Sequence, residues 1–168
     1  MVPPAAAQEA AEHELKAVFL YNFTKFAEWP AGAFEPGDAP FRICIVGEDP
    51  FGPLLDELVA GERVHRRRIE VVRHRRPREA RSCQIVYLAA DQEPESVAEV
   101  PGAAEGTVFT VGESEAFLAA GGLLRFRLLR SRIRLQINEE ARARSRLKIS
   151  SKLLQLAELV RPGDGKGR

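Results

Sequence analysis

The sequence predicts a single α/β domain with a mostly parallel sheet, an antiparallel C-terminal hairpin and helices covering both faces. Three observations support this class. Short, nearly continuous apolar runs alternate with helical segments over the first two thirds of the chain, as in buried parallel strands. Two strictly alternating runs with a short connection follow, which is typical of a hairpin. The length of 168 residues suits one domain with one core.

A first helix is predicted over residues 15–29. Pro30 is expected to end it, because proline disfavours helical geometry in the residue before it. Its apolar stripe at helical spacing is Leu15, Val18, Phe19, Phe23 and Phe26, widened by Ala17, Leu20 and Tyr21. A helix with so much apolar surface must be covered on more than one side. Its own sheet and another element or chain would provide that cover.

The middle of the chain alternates between strand and helix patterns. The expected strands are 41–46, 68–73, 84–89 and 107–111, and the expected short helices are 54–60, 94–100 and 114–120. Clusters of Gly, Pro and Asp between these segments predict loops. Pro94 lies at the first turn of its helix, a position that favours proline.

The C-terminal third begins with the predicted hairpin. Its inward residues are Leu124, Phe126, Leu128, Ile133, Leu135 and Ile137, with a turn near Arg130 and Ser131. Asn138 predicts a helix N-cap, followed by two acids. A last helix is expected from about Ser150, burying Leu153, Leu156, Ala157 and Val160. Both ends of the chain, residues 1–12 and 162–168, are expected to be disordered.

Composition argues against several function classes. The net charge is only +1, which disfavours a whole-domain nucleic-acid binder, and no apolar run approaches the ~20 residues that span a bilayer. Residues 1–8 lack the basic and apolar regions of a signal peptide, yet residues 5–7 are the small-residue pattern found before a cleavage site. Composition therefore leaves two interpretations open: an exported protein whose signal peptide has been removed, or a cytosolic tail.

No motif indicates catalysis, so we predict a protein that is not an enzyme and uses no cofactor or metal. His13, His65 and His74 lack metal-ligand spacing. Ser150 and Lys152 resemble a Ser–Lys pair without its partner motifs, and serine at a helix start is most often a cap. The segment 47–53 lacks the Lys and Ser/Thr of a phosphate-binding loop.

The same segment, 47–53, follows a buried strand and precedes a helix, where α/β proteins bind ligands. An ordinary turn before a helix that starts with proline is the more common explanation. The alternative is a pocket for a small cationic or polar ligand at the C-terminal strand ends. Its residues would be Gly47, Glu48, Asp49, Phe51 and Gly112.

Arginine is unevenly distributed along the chain. Nine arginines and two histidines lie within residues 63–81, against two glutamates. On the hairpin, Arg125, Arg127, Arg132 and Arg134 should share one face. Like charges opposite each other on paired strands are unfavourable unless acids or an anion neutralise them. The simpler explanation is a solvated face, and the functional one is attraction to an acidic partner or an anionic membrane surface.

Four ordered segments resemble the YfiR family of periplasmic proteins: 15–30, 41–52, 111–122 and 147–154. The resemblance extends over residues 13–161 and favours the exported, periplasmic interpretation. It implies a regulatory protein that represses an inner-membrane diguanylate cyclase of the YfiN type by binding its periplasmic domain. Cyclic di-GMP and biofilm formation would fall. The alternative is a periplasmic small-molecule-binding sensor or accessory protein.

Cys44 and Cys83 are expected to form a disulfide, although a bare pair is also compatible with two buried thiols. Cys44 lies in mid-strand, and Cys83 precedes a strand that could be its sheet neighbour, so their backbones can approach bridging distance. The resemblance agrees, because relatives have cysteines at the matching places, and exported proteins keep disulfides.

The apolar first helix also predicts a homodimer, since exposed patches of this kind mark interfaces. The expected interface residues are Leu20, Tyr21 and Phe23. A monomer in which the C-terminal helix buries these residues is the alternative.

Overall fold

The computed structural model describes residues 4–162. Its α-helices are α1 (Pro4–Phe23), α2 (Pro53–Val59), α3 (Glu115–Ala119), α4 (Glu139–Arg144) and α5 (Ser151–Leu156). Its strands are β1 (Ala27–Glu28), β2 (Phe41–Val46), β3 (Arg63–Val64), β4 (Arg67–His74), β5 (Ile85–Leu88), β6 (Phe109–Gly112), β7 (Leu124–Leu129), β8 (Arg132–Asn138), β9 (Lys148–Ile149) and β10 (Ala157–Val160). Short 3-10 helices cover Ala31–Ala33, Pro77–Glu79 and Pro94–Glu99.

An eight-stranded sheet forms the centre of the fold, in the order β10-β8-β7-β6-β5-β2-β4-β3. The strands from β4 to β7 in this order are parallel, β7 and β8 form an antiparallel hairpin, and β10 pairs parallel with β8. The predicted fold class, a mostly parallel sheet with an antiparallel hairpin, is confirmed. A small second sheet pairs β1 with β9.

The sheet separates two apolar layers, as the predicted cover on both faces requires. Helices α1 and α2 cover one face, where Phe23, Phe109 and Phe126 lie at the centre of the larger layer. Helix α3 and two of the 3-10 segments cover the other face, where Val86 and Phe117 are buried. Both sides of the central strands are therefore excluded from water.

Helix α1 differs from the predicted first helix at both ends. It begins at Pro4, so residues 4–12 are helical instead of disordered, because alanine is the best helix former and proline is tolerated in the first turn. It ends at Phe23 in a turn closed by the N–H of Thr24 on the carbonyl of Tyr21. Pro30 lies beyond β1 and does not end the helix. The expectation for residues 1–3 lies outside the described residues.

The predicted last helix is replaced by a short helix and a strand. The Ser150 side chain caps α5 by accepting the N–H of Leu153 at 3.3 Å, as predicted. The chain then becomes β10 because the free edge of β8 offers backbone partners. As a result Leu156 is 61% exposed, where burial was predicted. Residues 163–168 lie outside the described part of the chain.

Cys44 and Cys83 form the predicted disulfide, with Cα atoms 6.0 Å apart. It joins the middle of β2 to the segment just before β5, and both residues are buried. Between residues 4 and 162, no helix combines the length and the apolar character that crossing a bilayer would require.

Candidate functional site

The carboxyl ends of β2, β5 and β6 meet at one edge of the sheet. The chain leaves β2 toward β4 on one side, and it leaves the neighbouring strand β5 toward β6 on the other. This makes the gap between β2 and β5 a topological switch point. Open α/β sheets bind ligands in the crevice at such a point.

A cavity of about 310 Å³ lies at this edge and is bordered by the middle of α1. Its lining residues are Glu12, His13, Lys16, Glu48, Asp49, Pro50, Tyr87, Ala90, Asp91 and Glu113. The lining thus carries five carboxyl groups against one lysine and one histidine. The volume is at the low end of the range for small-molecule sites, which begins near ~300 Å³.

Lys16 is the buried cation of this site, with only 2% of its surface exposed. Its ammonium donates to Glu12 Oε2 and to Glu113 Oε1, both at 2.6 Å. A buried charge needs such partners, because removal from water costs several kcal/mol unless it is paired and hydrogen-bonded. Since Glu12 lies one turn earlier on α1 and Glu113 follows β6, Lys16 ties the helix to the sheet edge.

Tyr87 completes the network by donating its hydroxyl to the other carboxylate oxygen of Glu113. Burial, and then the negative charge of Glu113, raise the pKa of Tyr87 far above its ordinary value. The hydroxyl therefore remains a donor throughout the physiological pH range. The ring of Phe51 packs edge-on against the Tyr87 ring, with centroids 5.1 Å apart.

The loops after β2 and β5 are locked together around Gly47. This glycine has φ +97°, and a Cβ atom there would lie 2.4 Å from Asp91 Oδ1. The same oxygen accepts the backbone N–H of Glu48 at 3.0 Å. Only glycine allows this close approach. Gly47 therefore shapes the two loops and does not line the cavity.

Asp49 is held by one contact within its own loop and by one contact with Arg73 of β4. It accepts the N–H of Phe51 at 2.8 Å and the guanidinium Nε of Arg73 at 2.7 Å. Arg73 also binds Asp56, and this hydrogen bond lowers the pKa of the Asp56 carboxyl. The loop therefore has a defined conformation before any ligand is present.

Some of the predicted pocket residues line the cavity, and others lie behind it. Glu48 and Asp49 line the cavity. Phe51 is 5% exposed and belongs to the core behind it. Gly112 lies against the ring of Phe117, where a Cβ atom would come within 2.4 Å of the ring, so it serves packing.

Sequence reasoning missed the residues that organise the site: Lys16, Tyr87, Asp91 and Glu113. One signal was available, because Lys16 is a cation inside an otherwise apolar stretch of the first helix. A lysine in such a position indicates a buried acidic partner. The partner itself, 97 residues away along the chain, could not be identified from the pattern.

Two of the three predicted interface residues of α1 lie in the core of the chain. Leu20 and Phe23 are fully buried within the chain, and the Phe23 ring stacks 5.0 Å from that of Phe109. The apolar stripe packs in the large core layer on the sheet, and Leu153 of α5 lies in the same layer. Tyr21 is half-buried, and its hydroxyl donates to Glu62 at 2.6 Å. Leu20 and Phe23 are therefore core residues of this chain, and an interface that uses Tyr21 stays a prediction.

One group of described residues brings potential metal ligands together. The ligand atoms of Cys44, His74 and Cys83 lie within 4.8 Å of one another. Because the two sulfurs are joined in the disulfide, they are not free to coordinate an ion.

Comparison with known families decides what the domain is. A model of YfiR/HmsC-like proteins matches residues 13–158. The chain belongs to the YfiR/HmsC-like family. The match spans the domain from the middle of α1 to β10 and includes the disulfide. No curated protein matches the sequence closely enough to count as a relative.

In this YfiR/HmsC-like domain the cavity combines negative charge with a rigid frame. The buried groups Lys16, Tyr87 and Glu113 satisfy one another, and the two loops are pinned by Asp91 and Arg73. A pre-formed, acidic crevice of this kind suits a small cationic or polar molecule.

Proposed function

We propose that this YfiR/HmsC-like protein is a periplasmic regulator that binds the periplasmic domain of an inner-membrane diguanylate cyclase of the YfiN type. By holding the cyclase inactive it lowers cyclic di-GMP and biofilm formation. The family match over residues 13–158 carries the proposal. The Cys44–Cys83 disulfide supports it, because structural disulfides persist in oxidising compartments such as the periplasm.

Repression of this kind requires no catalytic group. The protein must bind the inactive state of the cyclase more tightly than the active state, and a preference of about 1.4 kcal/mol shifts that equilibrium tenfold. A sheet whose central strands are cross-linked and buried on both faces supplies a rigid surface for such selective binding. The proposal includes a homodimer, to be tested by light scattering at tens of micromolar.

Gene deletion and complementation test the repressor directly. Deleting the gene should raise cyclic di-GMP, and a copy with a signal peptide should restore the low level. A matched copy without a signal peptide should not, because it cannot reach the periplasmic domain. Unchanged cyclic di-GMP in a deletion strain that expresses a YfiN-type cyclase would overturn the proposal.

A second candidate function is a small-molecule sensor, favoured by the acidic cavity at the switch point. Thermal-shift screening with small amines and polar metabolites tests it, because a ligand that binds only the folded state stabilises it by mass action. The shift should shrink in Glu48→Gln, which removes a lining charge. It should persist in Glu57→Gln, the same change on the exposed side of α2. A screen without any stabilising compound would remove this candidate.

A further inference from the structure

The β7–β8 hairpin is strongly basic and contains no acidic residue of its own. Residues 124–138 include no Asp or Glu, and their arginines are Arg125, Arg127, Arg130, Arg132 and Arg134. Within the described residues none of these five comes within 4.0 Å of an acidic oxygen in an ion pair. The positive charge of this hairpin is therefore available to a partner.

The strand register concentrates the charge on one face. Arg127 lies directly opposite Arg134, and Arg132 lies opposite Leu129. Arg125 is fixed on the same face by donating to the Glu113 carbonyl at 3.3 Å and to Gln136 Oε1 at 3.0 Å. Directly opposed like charges are unfavourable in the free protein, so an anion bound between them would relieve the repulsion.

The tip of the hairpin adds exposed apolar groups. Leu128 is 52% exposed and Leu129 is 41% exposed. They adjoin a two-residue turn formed by Arg130 and Ser131, both with positive φ. Because successive residues of a strand point to opposite faces, the two leucines project to opposite sides of the hairpin. The tip is thus apolar on both sides and flanked by arginines.

On the α1 side, Leu128 borders a groove of about 610 Å³ between the helix and the hairpin. Leu15, 44% exposed, continues the apolar surface along α1. The acids that face this groove are Glu9 and Glu12, and Glu12 is already bound by Lys16. Arg132 and Arg134 line the same groove, and in the part of the chain that the structure describes no ion pair within 4.0 Å joins them to Glu9 or Glu12.

We propose that the hairpin tip docks on an anionic phospholipid bilayer, with the arginines at the phosphates and Leu128 and Leu129 in the interfacial layer. A bilayer interface accepts apolar side chains and cationic heads at adjacent depths. It also surrounds the tip, so it can receive two leucines that point in opposite directions. A single acidic protein surface would match the arginines and leave one leucine exposed.

Vesicle co-sedimentation of the purified full chain tests this surface. We expect weak, reversible binding to vesicles that contain phosphatidylglycerol, and little binding to phosphatidylcholine alone. Because each arginine near an anionic membrane contributes roughly a fivefold affinity, Arg127→Gln with Arg134→Gln should weaken binding by about 25-fold. Added salt should weaken it further, since the Debye length falls to about 8 Å at physiological ionic strength.

Two further variants separate the hairpin from net charge. Leu128→Ser with Leu129→Ser should reduce binding while leaving the charge unchanged. Arg75→Gln with Arg81→Gln, exposed arginines outside the hairpin, changes the charge equally and should retain binding. Circular dichroism should show that all variants are folded, because the changed side chains are largely exposed.

Two outcomes would overturn the inference. The first is no binding to phosphatidylglycerol vesicles, or equal loss in the hairpin and control variants. The second is loss of binding to the cyclase domain in the hairpin arginine variant without any vesicle association, which would assign the face to an acidic protein. Since vesicle binding is measured without the cyclase, a failed repressor proposal leaves this test unaffected.

Discussion

The central strands and the β7–β8 hairpin belong to one sheet, but they differ in how many of their faces are buried. In β2, Ile43, Cys44 and Ile45 are all fully buried, so both faces are packed. In the hairpin, Phe126 is buried while its neighbour Arg127 is half-exposed. Packing on two sides and a disulfide hold the centre in place. No residue from Arg127 to Arg134 is buried, so this outer part of the hairpin is left for contacts, whereas residues 135–138 of β8 are buried like the centre.

This contrast explains the distribution of charge. Near the strand ends the buried cation Lys16 has two carboxylate partners, because a low-dielectric environment does not tolerate an unpaired ammonium. The arginines of the hairpin do not need such partners, because water screens their charges. The central region is therefore expected to be sensitive to substitution, and the hairpin tolerant of it.

Breaking the disulfide should have the largest effect and would show how far the centre depends on it. The cysteines are 39 residues apart, and the loop-entropy model gives a loss of about 4 kcal/mol in the free energy of unfolding on reduction. Urea unfolding of the oxidised and reduced protein measures the difference. Leu129→Ser on the hairpin is the control and should change stability by no more than about 0.5 kcal/mol. If reduction of the disulfide lowers the free energy of unfolding less than Leu129→Ser does, the centre does not depend on the disulfide more than on the hairpin.

Lys16→Met should lower the free energy of unfolding by about 2 kcal/mol. Methionine keeps the length of the stem but leaves two carboxylates facing each other near a buried site, and their partial exposure limits the penalty. Chemical denaturation provides the measurement. Adding Glu113→Gln should recover part of the loss, because it removes one of the opposed charges. If the double variant is less stable than Lys16→Met, charge repulsion is not the cause.

Tyr87→Phe should cost about 1 kcal/mol at neutral pH, since it removes a hydrogen bond to a carboxylate. It should also change the alkaline limb of stability. The pKa of Tyr87 is raised in the folded state above its ordinary value of 10.0. The associated stability is therefore present below pH 10 and is lost as the pH rises above it.

Measuring the free energy of unfolding from neutral pH to above pH 10 tests whether stability falls as Tyr87 ionises. The wild type should lose stability more steeply than Tyr87→Phe, which has no phenol to ionise. Tyr21→Phe, at a half-buried position, should follow the wild type. Identical slopes for all three proteins would show that Tyr87 ionises equally in the folded and unfolded states.

Arg134→Glu should change the free energy of unfolding least, and it should raise this free energy, whereas the preceding changes lower it. Arg134 lies opposite Arg127, so the change turns a pair of like charges into a pair of opposite charges. This should stabilise the protein by about 0.5 kcal/mol. Arg132→Glu, opposite Leu129, is the matched control and should gain less. Thermal unfolding at low and high salt provides the measurement, and the gain should shrink at high salt. Destabilisation by Arg134→Glu would mean that the arginine already has a partner.

Local patterns in the sequence determined the fold class, the hairpin, the N-caps at Asn138 and Ser150, and the position of the disulfide. These features depend on residues close in the chain or on strands whose order the alternation already limits. The resemblance of four ordered segments to one family also proved sufficient to identify it.

Only the tertiary structure decided the rest. The stretch from Ala157 to Val160 is apolar enough for a helix, yet it becomes a strand because the edge of β8 is free. Leu20 and Phe23 form core and not interface because the sheet is wide enough to cover them. The Lys16–Glu113–Tyr87 network joins residues far apart in the chain, and periodicity reports how deeply a residue is buried but not which distant group it meets.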